Sequence, residues 1–160
     1  MEPIKIGMSE YKVAKNPEIL TSIGLGSCIG IILYDAFNKI GGLAHVMLPR
    51  RSEVKDKSNP AKFADSSIEL MLNEMESKGS LQRNIKAKIF GGANMFPNVQ
   101  SSTLMNIGER NALAVKEELE KRKIKITAED LGGNAGRTII FDIKDGSVRV
   151  RTVRGEERVY

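Results

Sequence analysis

The chain has 160 residues, 41% hydrophobic and 28% charged, which suits one globular domain with its own core and leaves little room for two. One Cys and one His exclude an internal disulfide, a zinc site built from several Cys and His ligands and a HExxH metalloprotease, so no metal or cofactor is expected. The net charge of +5, spread along the chain, is compatible with an acidic partner surface, whereas zero Trp and 5% aromatics leave no stacking platform for nucleic acid.

No stretch approaches the roughly 18 apolar residues of a membrane span. Met1-Glu2-Pro3-Ile4-Lys5 lacks the basic-then-apolar layout of a signal peptide, so a cytoplasmic location is expected. The first half reads as β-rich. Ile4–Gly7, Tyr11–Ala14 and Ile19–Ile23 are short strand candidates parted by turn residues such as Asn16-Pro17. Cys28–Tyr34, almost wholly apolar, predicts a strand buried on both faces. Asp35-Ala36-Phe37-Asn38 turns the chain into a strand over Lys39–Leu48 that stops at Pro49. The polar run Arg50–Asn59 reads as a surface loop.

The second half alternates. Asn59-Pro60 opens a helix running to about Lys78, with Ala64, Ile68, Met71, Leu72 and Met75 on one apolar face. Ile85–Phe90 predicts a strand leading into Gly91-Gly92, and Asn106 with Glu109 resembles a helix cap opening a helix to about Lys123. Strands follow at Ile124–Leu131, Arg137–Ile143 and Ser147–Val153, the last two joined by Asp145-Gly146 as a hairpin. Arg149, Arg151 and Arg154 read as a solvated strand edge. The expected fold is a single α+β domain over residues 1–160, with mixed or antiparallel sheet flanked by two main helices.

Cys28 and His45 fall on consecutive strands. A tight turn centred on Ala36-Phe37 would set Tyr34 opposite Lys39 and Cys28 opposite His45, placing thiol and imidazole on one face. A bulge at Gly41-Gly42 would instead send His45 to the other face. An imidazole beside a thiol can hold it as thiolate, the requirement for nucleophilic catalysis. Gly24-Leu25-Gly26-Ser27 supplies backbone N–H groups that could turn toward an oxyanion. This glycine-rich loop leads into a strand and opens no helix, which argues against nucleotide binding. On the residues alone two readings stand: a catalytic pair, or a cysteine packed as a small hydrophobe and a histidine in the core.

Ser22-Ile23-Gly24-Leu25-Gly26-Ser27-Cys28, followed by Gly42-Leu43-Ala44-His45-Val46-Met47-Leu48-Pro49, resembles the signature of the CheD family of chemoreceptor glutamine deamidases. Lys62-Phe63-Ala64-Asp65, Gly91-Gly92-Ala93-Asn94-Met95-Phe96, Asn106-Ile107-Gly108-Glu109-Arg110-Asn111 and Glu129-Asp130-Leu131-Gly132-Gly133-Asn134 match in order. The resemblance implies a cysteine hydrolase that converts glutamine side chains of chemoreceptor cytoplasmic helices to glutamate, with methylesterase activity as a side reaction. It assigns Cys28 as nucleophile and His45 as base and acid. The family's third position, a hydroxyl six residues before the cysteine, is Ser22 here, with Thr21 as its neighbour. Gly24, Gly26 and Ser27 would form the oxyanion loop. Gly91 and Gly92 would either line the cleft or serve turns that need positive φ. A CheC-type phosphatase is an implied partner. The competing reading is a noncatalytic chemotaxis adaptor that binds receptor or phosphatase through the same cleft.

Overall fold

The computed structural model describes residues 2–96 and 106–160, and in it both halves of the chain contribute strands to both of two five-stranded sheets. In chain order the elements are β1 (Ile4–Lys5), β2 (Glu10–Lys15), β3 (Ile19–Leu25), β4 (Ile29–Asp35), β5 (Ile40–Val46), α1 (Ala64–Ser77), β6 (Ile85–Gly91), α2 (Ile107–Lys121), β7 (Ile126–Leu131), β8 (Arg137–Asp142), β9 (Val148–Thr152) and β10 (Glu157–Val159). One sheet runs β1-β3-β8-β9-β10, the other β2-β5-β4-β6-β7. The pairs β1–β3 and β6–β7 are parallel and the remaining pairs antiparallel, so both sheets are mixed as expected.

The layers follow from the alternation of side chains along a strand. Ile32, Leu43 and Phe90 of the second sheet meet Leu20, Leu25, Ile139, Phe141 and Val150 of the first. On its other face, Ile29, Ile31, Leu33, Ala44, Val46 and Ile89 pack against Ile68, Met71 and Met75 of α1 and against Ala114, Val115 and Leu119 of α2. The second sheet is therefore the middle of three layers, which is why β4 and β5 carry almost no polar side chains. The apolar face read for α1 is the buried one. Among the described residues, no helix is long and apolar enough to cross a membrane.

Several expectations are corrected. β4 and β5 pair with Asp35 opposite Ile40, Tyr34 opposite Gly41 and Gly30 opposite His45, two residues out of the expected register. A two-residue turn at Ala36-Phe37 needs φ > 0 at the first central position (type II′) or at both (type I′), which favours Gly, Asn or Asp and neither Ala nor Phe. Instead Oδ1 of Asp35 accepts from the N–H groups of Phe37 and Asn38 (both 3.0 Å), and Lys39 takes the positive φ of 55°. The loop therefore holds Ala36–Lys39 and delays the strand to Ile40. Gly41-Gly42 makes no bulge, and the β4–β5 register is unbroken.

The helix expected from Pro60 begins at Ala64, because Pro60–Lys62 is a 3₁₀ turn and Phe63 is extended (φ −111°, ψ 143°). The N–H groups of Met47 and Leu48 donate to the Lys62 carbonyl (2.9 and 3.1 Å), tying this turn to the end of β5 before the helix can start. Nor is β9 an edge. β10, too short to stand out in the sequence, pairs with it, and Glu157 faces Arg149 and Arg151 at 3.4 and 3.3 Å.

Gly41 marks a close approach of the two sheets. A Cβ there would lie 2.6 Å from two ring atoms of Phe141, which is fully buried and has nowhere to retreat. Gly41→Ala should therefore cost about 1–3 kcal/mol by overpacking. The expected readout is a lower urea midpoint with an unchanged denaturant slope, partly recovered in the Gly41→Ala, Phe141→Leu double variant because the two positions share one space.

Candidate active site

Cys28 is half-buried in the bend between β3 and β4, just before the first paired residue of β4. The carbonyls around it are all taken by the protein. The Gly26 carbonyl accepts from Ala93 N–H (2.9 Å), that of Ser27 from the Asn111 side-chain amide (3.0 Å) and that of Cys28 from Gly92 N–H (2.9 Å). Among the described residues, no acceptor on another residue meets the N–H groups of Gly26, Ser27 or Cys28. A loop held by its carbonyls leaves its donors to a ligand, which is how backbone builds an oxyanion hole. Gly24, at φ +71°, is exposed, sits where β3 and β8 lose register, and lets Leu25 turn inward.

Gly91 and Gly92 stand behind the cysteine. Both have positive φ, 110° and 65°, and a Cβ on Gly91 would run into the Cys28 carbonyl oxygen. Gly92 borders a hollow with Leu113 and Leu131. The hollow beside Ser27, about 210 Å³, is lined instead by Ala93, Asn94, Met95, Phe96, Asn106 and Ile107. Sequence reasoning missed these. The signal available was Met95-Phe96, two large apolar residues shortly after the Gly91-Gly92 turn, and Phe96 is 73% exposed.

His45 lies on β5, directly opposite Gly30 and diagonal to Cys28. Diagonal neighbours are roughly 7–8 Å apart in a regular antiparallel pair. Because the displacement from the expected register is two residues, the face is kept. Cys28 packs against the inter-sheet cluster, and His45 alternates with Leu43 on that same side. The imidazole is 3% exposed, and among the described residues neither ring nitrogen has a hydrogen-bond partner, so no bond joins it to the thiol.

Ser22 and Thr21 differ in the way alternation requires. Ser22, fully buried on β3, donates its hydroxyl to the Ile6 carbonyl (2.7 Å), while Thr21 donates to the Ile139 carbonyl (2.6 Å). The Ile6 carbonyl also lies by the His45 ring, outside hydrogen-bond geometry, and it is the group these two residues share.

Burial acts on both members of the pair. It pushes the Cys28 thiol up, offset in part by the residue's own N–H facing the sulfur. It pulls the His45 imidazole below its ordinary value, opposed by the Ile6 carbonyl and the Glu10 carboxylate. Burial thus favours the uncharged form of each group, thiol for Cys28 and neutral imidazole for His45.

A second brace reaches this end of the sheets from β8. Arg137, 7% exposed, donates to Asp130 (3.2 Å) and to the carbonyls of Gly91 (3.1 Å) and Gly132 (2.7 Å), and Tyr160 donates its hydroxyl to Asp130 (2.7 Å). The guanidinium thus joins the first sheet to the strand end behind Cys28. Among the described residues, no three His, Cys, Asp or Glu side chains gather closely enough to hold a metal ion.

The family model described as CheD chemotactic sensory transduction matches residues 47–152. Similar proteins over nearly the whole chain each bear the name "Probable chemoreceptor glutamine deamidase CheD". That of Clostridium novyi is 51% identical over 152 residues (95% of this chain, 94% of its own). That of Caldanaerobacter subterraneus subsp. tengcongensis is 50% identical over 150 residues (94% and 93%). That of Syntrophomonas wolfei is 49% identical over 156 residues (98% and 97%).

A neutral resting pair has a measurable consequence. Alkylation of Cys28, the only cysteine, should rise with pH to a midpoint above that of an ordinary free thiol, because burial disfavours the thiolate. His45→Ala should leave that midpoint nearly unchanged. A midpoint well below the ordinary range that is lost with His45 would indicate a preformed thiolate–imidazolium pair instead.

Proposed function

Since this chain belongs to the CheD family, we propose that it is a chemoreceptor glutamine deamidase in which Cys28 is the nucleophile and His45 the general base and acid. The reading is carried by one observation: thiol and imidazole share a face at the end of β4–β5, beside a loop whose carbonyls are bonded and whose N–H groups meet no acceptor on another described residue.

The chemistry runs in two halves. As Cys28 Sγ attacks the glutamine side-chain carbon, His45 takes the thiol proton, and the N–H groups of the Gly26–Cys28 loop receive the oxyanion. The imidazolium gives that proton to the departing nitrogen, ammonia leaves and a thioester remains. His45 then deprotonates a water that attacks the thioester, and the proton returns to the sulfur as glutamate is released. Ser22 has its hydroxyl proton committed to Ile6, so its oxygen can only accept, and it orients the imidazole N–H once the ring engages the thiol. A glutamate methyl ester, with its better leaving group, is a side substrate of the same machinery.

The substrate is a glutamine displayed on a chemoreceptor cytoplasmic helix. A helix offers contacts beyond the reacting amide, which can orient it for attack. The hollow lined by Met95, Phe96 and Ile107 next to Ser27 offers an apolar surface for such contacts. This reading places the protein in the cytoplasm and makes a CheC-type phosphatase a candidate partner.

Mass spectrometry of a folded receptor fragment should register one mass unit gained per glutamine converted. Cys28→Ala and His45→Ala should each lose about a thousandfold or more in kcat, since nucleophile and base act as one unit. Ser22→Ala should lose less, roughly ten- to a hundredfold, as a misoriented base does. Substantial turnover by Cys28→Ala would end the thioester mechanism, and receptor binding without turnover by the wild type would identify the adaptor.

The pH profile gives an independent check. Burial keeps His45 neutral further into acid, so the acid limb of kcat/KM should fall below the ordinary histidine range. Burial keeps Cys28 protonated further into alkali, so the opposite limb should lie above the ordinary thiol range, where the proton needed by the leaving ammonia is gone.

A further inference from the structure

The β4–β5 ladder ends at Ile29 opposite Val46. The next pair would join Cys28 to Met47, and there the two chains have already parted, Cys28 into its bend and Met47 toward the Lys62 carbonyl. The gap is closed by a side chain from the helical layer. Asn111 of α2, fully buried, donates one amide proton to the Ser27 carbonyl (3.0 Å) and the other to the Met47 carbonyl (2.9 Å).

We infer that Asn111 is a positioning residue for the catalytic pair, its carboxamide standing in for the missing rung between the nucleophile's loop and the strand that carries His45. The inference rests on the deamidase reading above. Two carbonyl oxygens converging on one group require two donors on one short planar head. Asn supplies them, whereas Asp, Leu or Ala at the same place cannot. The amide oxygen has no partner among the described residues, so the two donated bonds set the orientation of the head. One bond ends at the residue before Cys28 and the other two residues beyond His45, so release of either changes the separation and angle of thiol and imidazole. Placement also matters for the oxyanion, because the Ser27 carbonyl is one of the three anchors that turn the loop's N–H groups outward.

The sequence carried a signal. Asn111, Ala114, Val115, Glu118 and Leu119 are buried at helical spacing, and Asn111 is the small polar residue on that stripe with nothing apolar to contribute.

The test compares Asn111→Ala with wild type at a temperature where near-UV circular dichroism shows both fully folded. Asn111→Ser, which can admit a bridging water, replaces it should the alanine form not fold. With a receptor helix fragment, kcat should fall about ten- to a hundredfold while KM stays within about twofold. Over the same samples, iodoacetamide should alkylate Cys28 at least about threefold faster, because the released loop exposes the sulfur. Slower deamidation with faster alkylation supports the assignment. A variant that is less stable yet keeps wild-type kcat and wild-type alkylation overturns it. If the wild type itself shows no turnover, the deamidase reading falls, and the alkylation arm alone decides whether Asn111 places Cys28.

Discussion

Each residue of β4 from Ile29 to Asp35 is paired on both sides, with β5 across one edge and β6 across the other, and neither register slips. The rest of the structure is arranged around that doubly fixed strand. It sets His45 opposite Gly30 and Gly91 opposite Ile29, so one strand start gathers the imidazole, the cysteine and the glycine turn behind it. Because β4 is also covered by helices on one face and by the other sheet on the opposite face, it cannot shift to relieve strain at its end. Adjustments must be made by the bend before it, and that bend carries Cys28, the proposed nucleophile.

The bend is accordingly held from several directions. Ala93 and Gly92 bond it from the end of β6, Asn111 from α2, and Arg137 of the first sheet fastens the Gly91 carbonyl behind it. All three layers therefore meet at one short segment. The anchors are carbonyls, and the donors of the segment are left over. This division is a general route by which a folded chain presents polar groups to a ligand without burying them unpaired.

What could be read from the sequence followed local rules. The apolar face of α1, the Asn106 cap and the doubly buried β4 were legible because each depends on residues a few positions apart. The register of β4 and β5 was not, because it turned on whether Asp35 would cap the chain twice and shift the closing pair to Ile40, a choice between turn types of similar local appearance. The error was even-numbered, so it left the face of His45 intact and altered only its distance along the strand. The contacts of Arg137 and Asn111 were not legible for another reason. Their partners are backbone carbonyls from distant strands, and a carbonyl leaves no mark in a sequence.

The burial that favours the thiol form of Cys28 also bears on its chemistry with oxidants. Peroxide attack begins at the thiolate, and the ladder to sulfenic and irreversible sulfinic forms starts only where that anion is populated and reachable. A half-buried sulfur beside a neutral imidazole presents little of it at rest. In the proposed mechanism the thiolate forms only as the amide is attacked, so the burial that delays the nucleophile would also shield Cys28 from irreversible oxidation at rest.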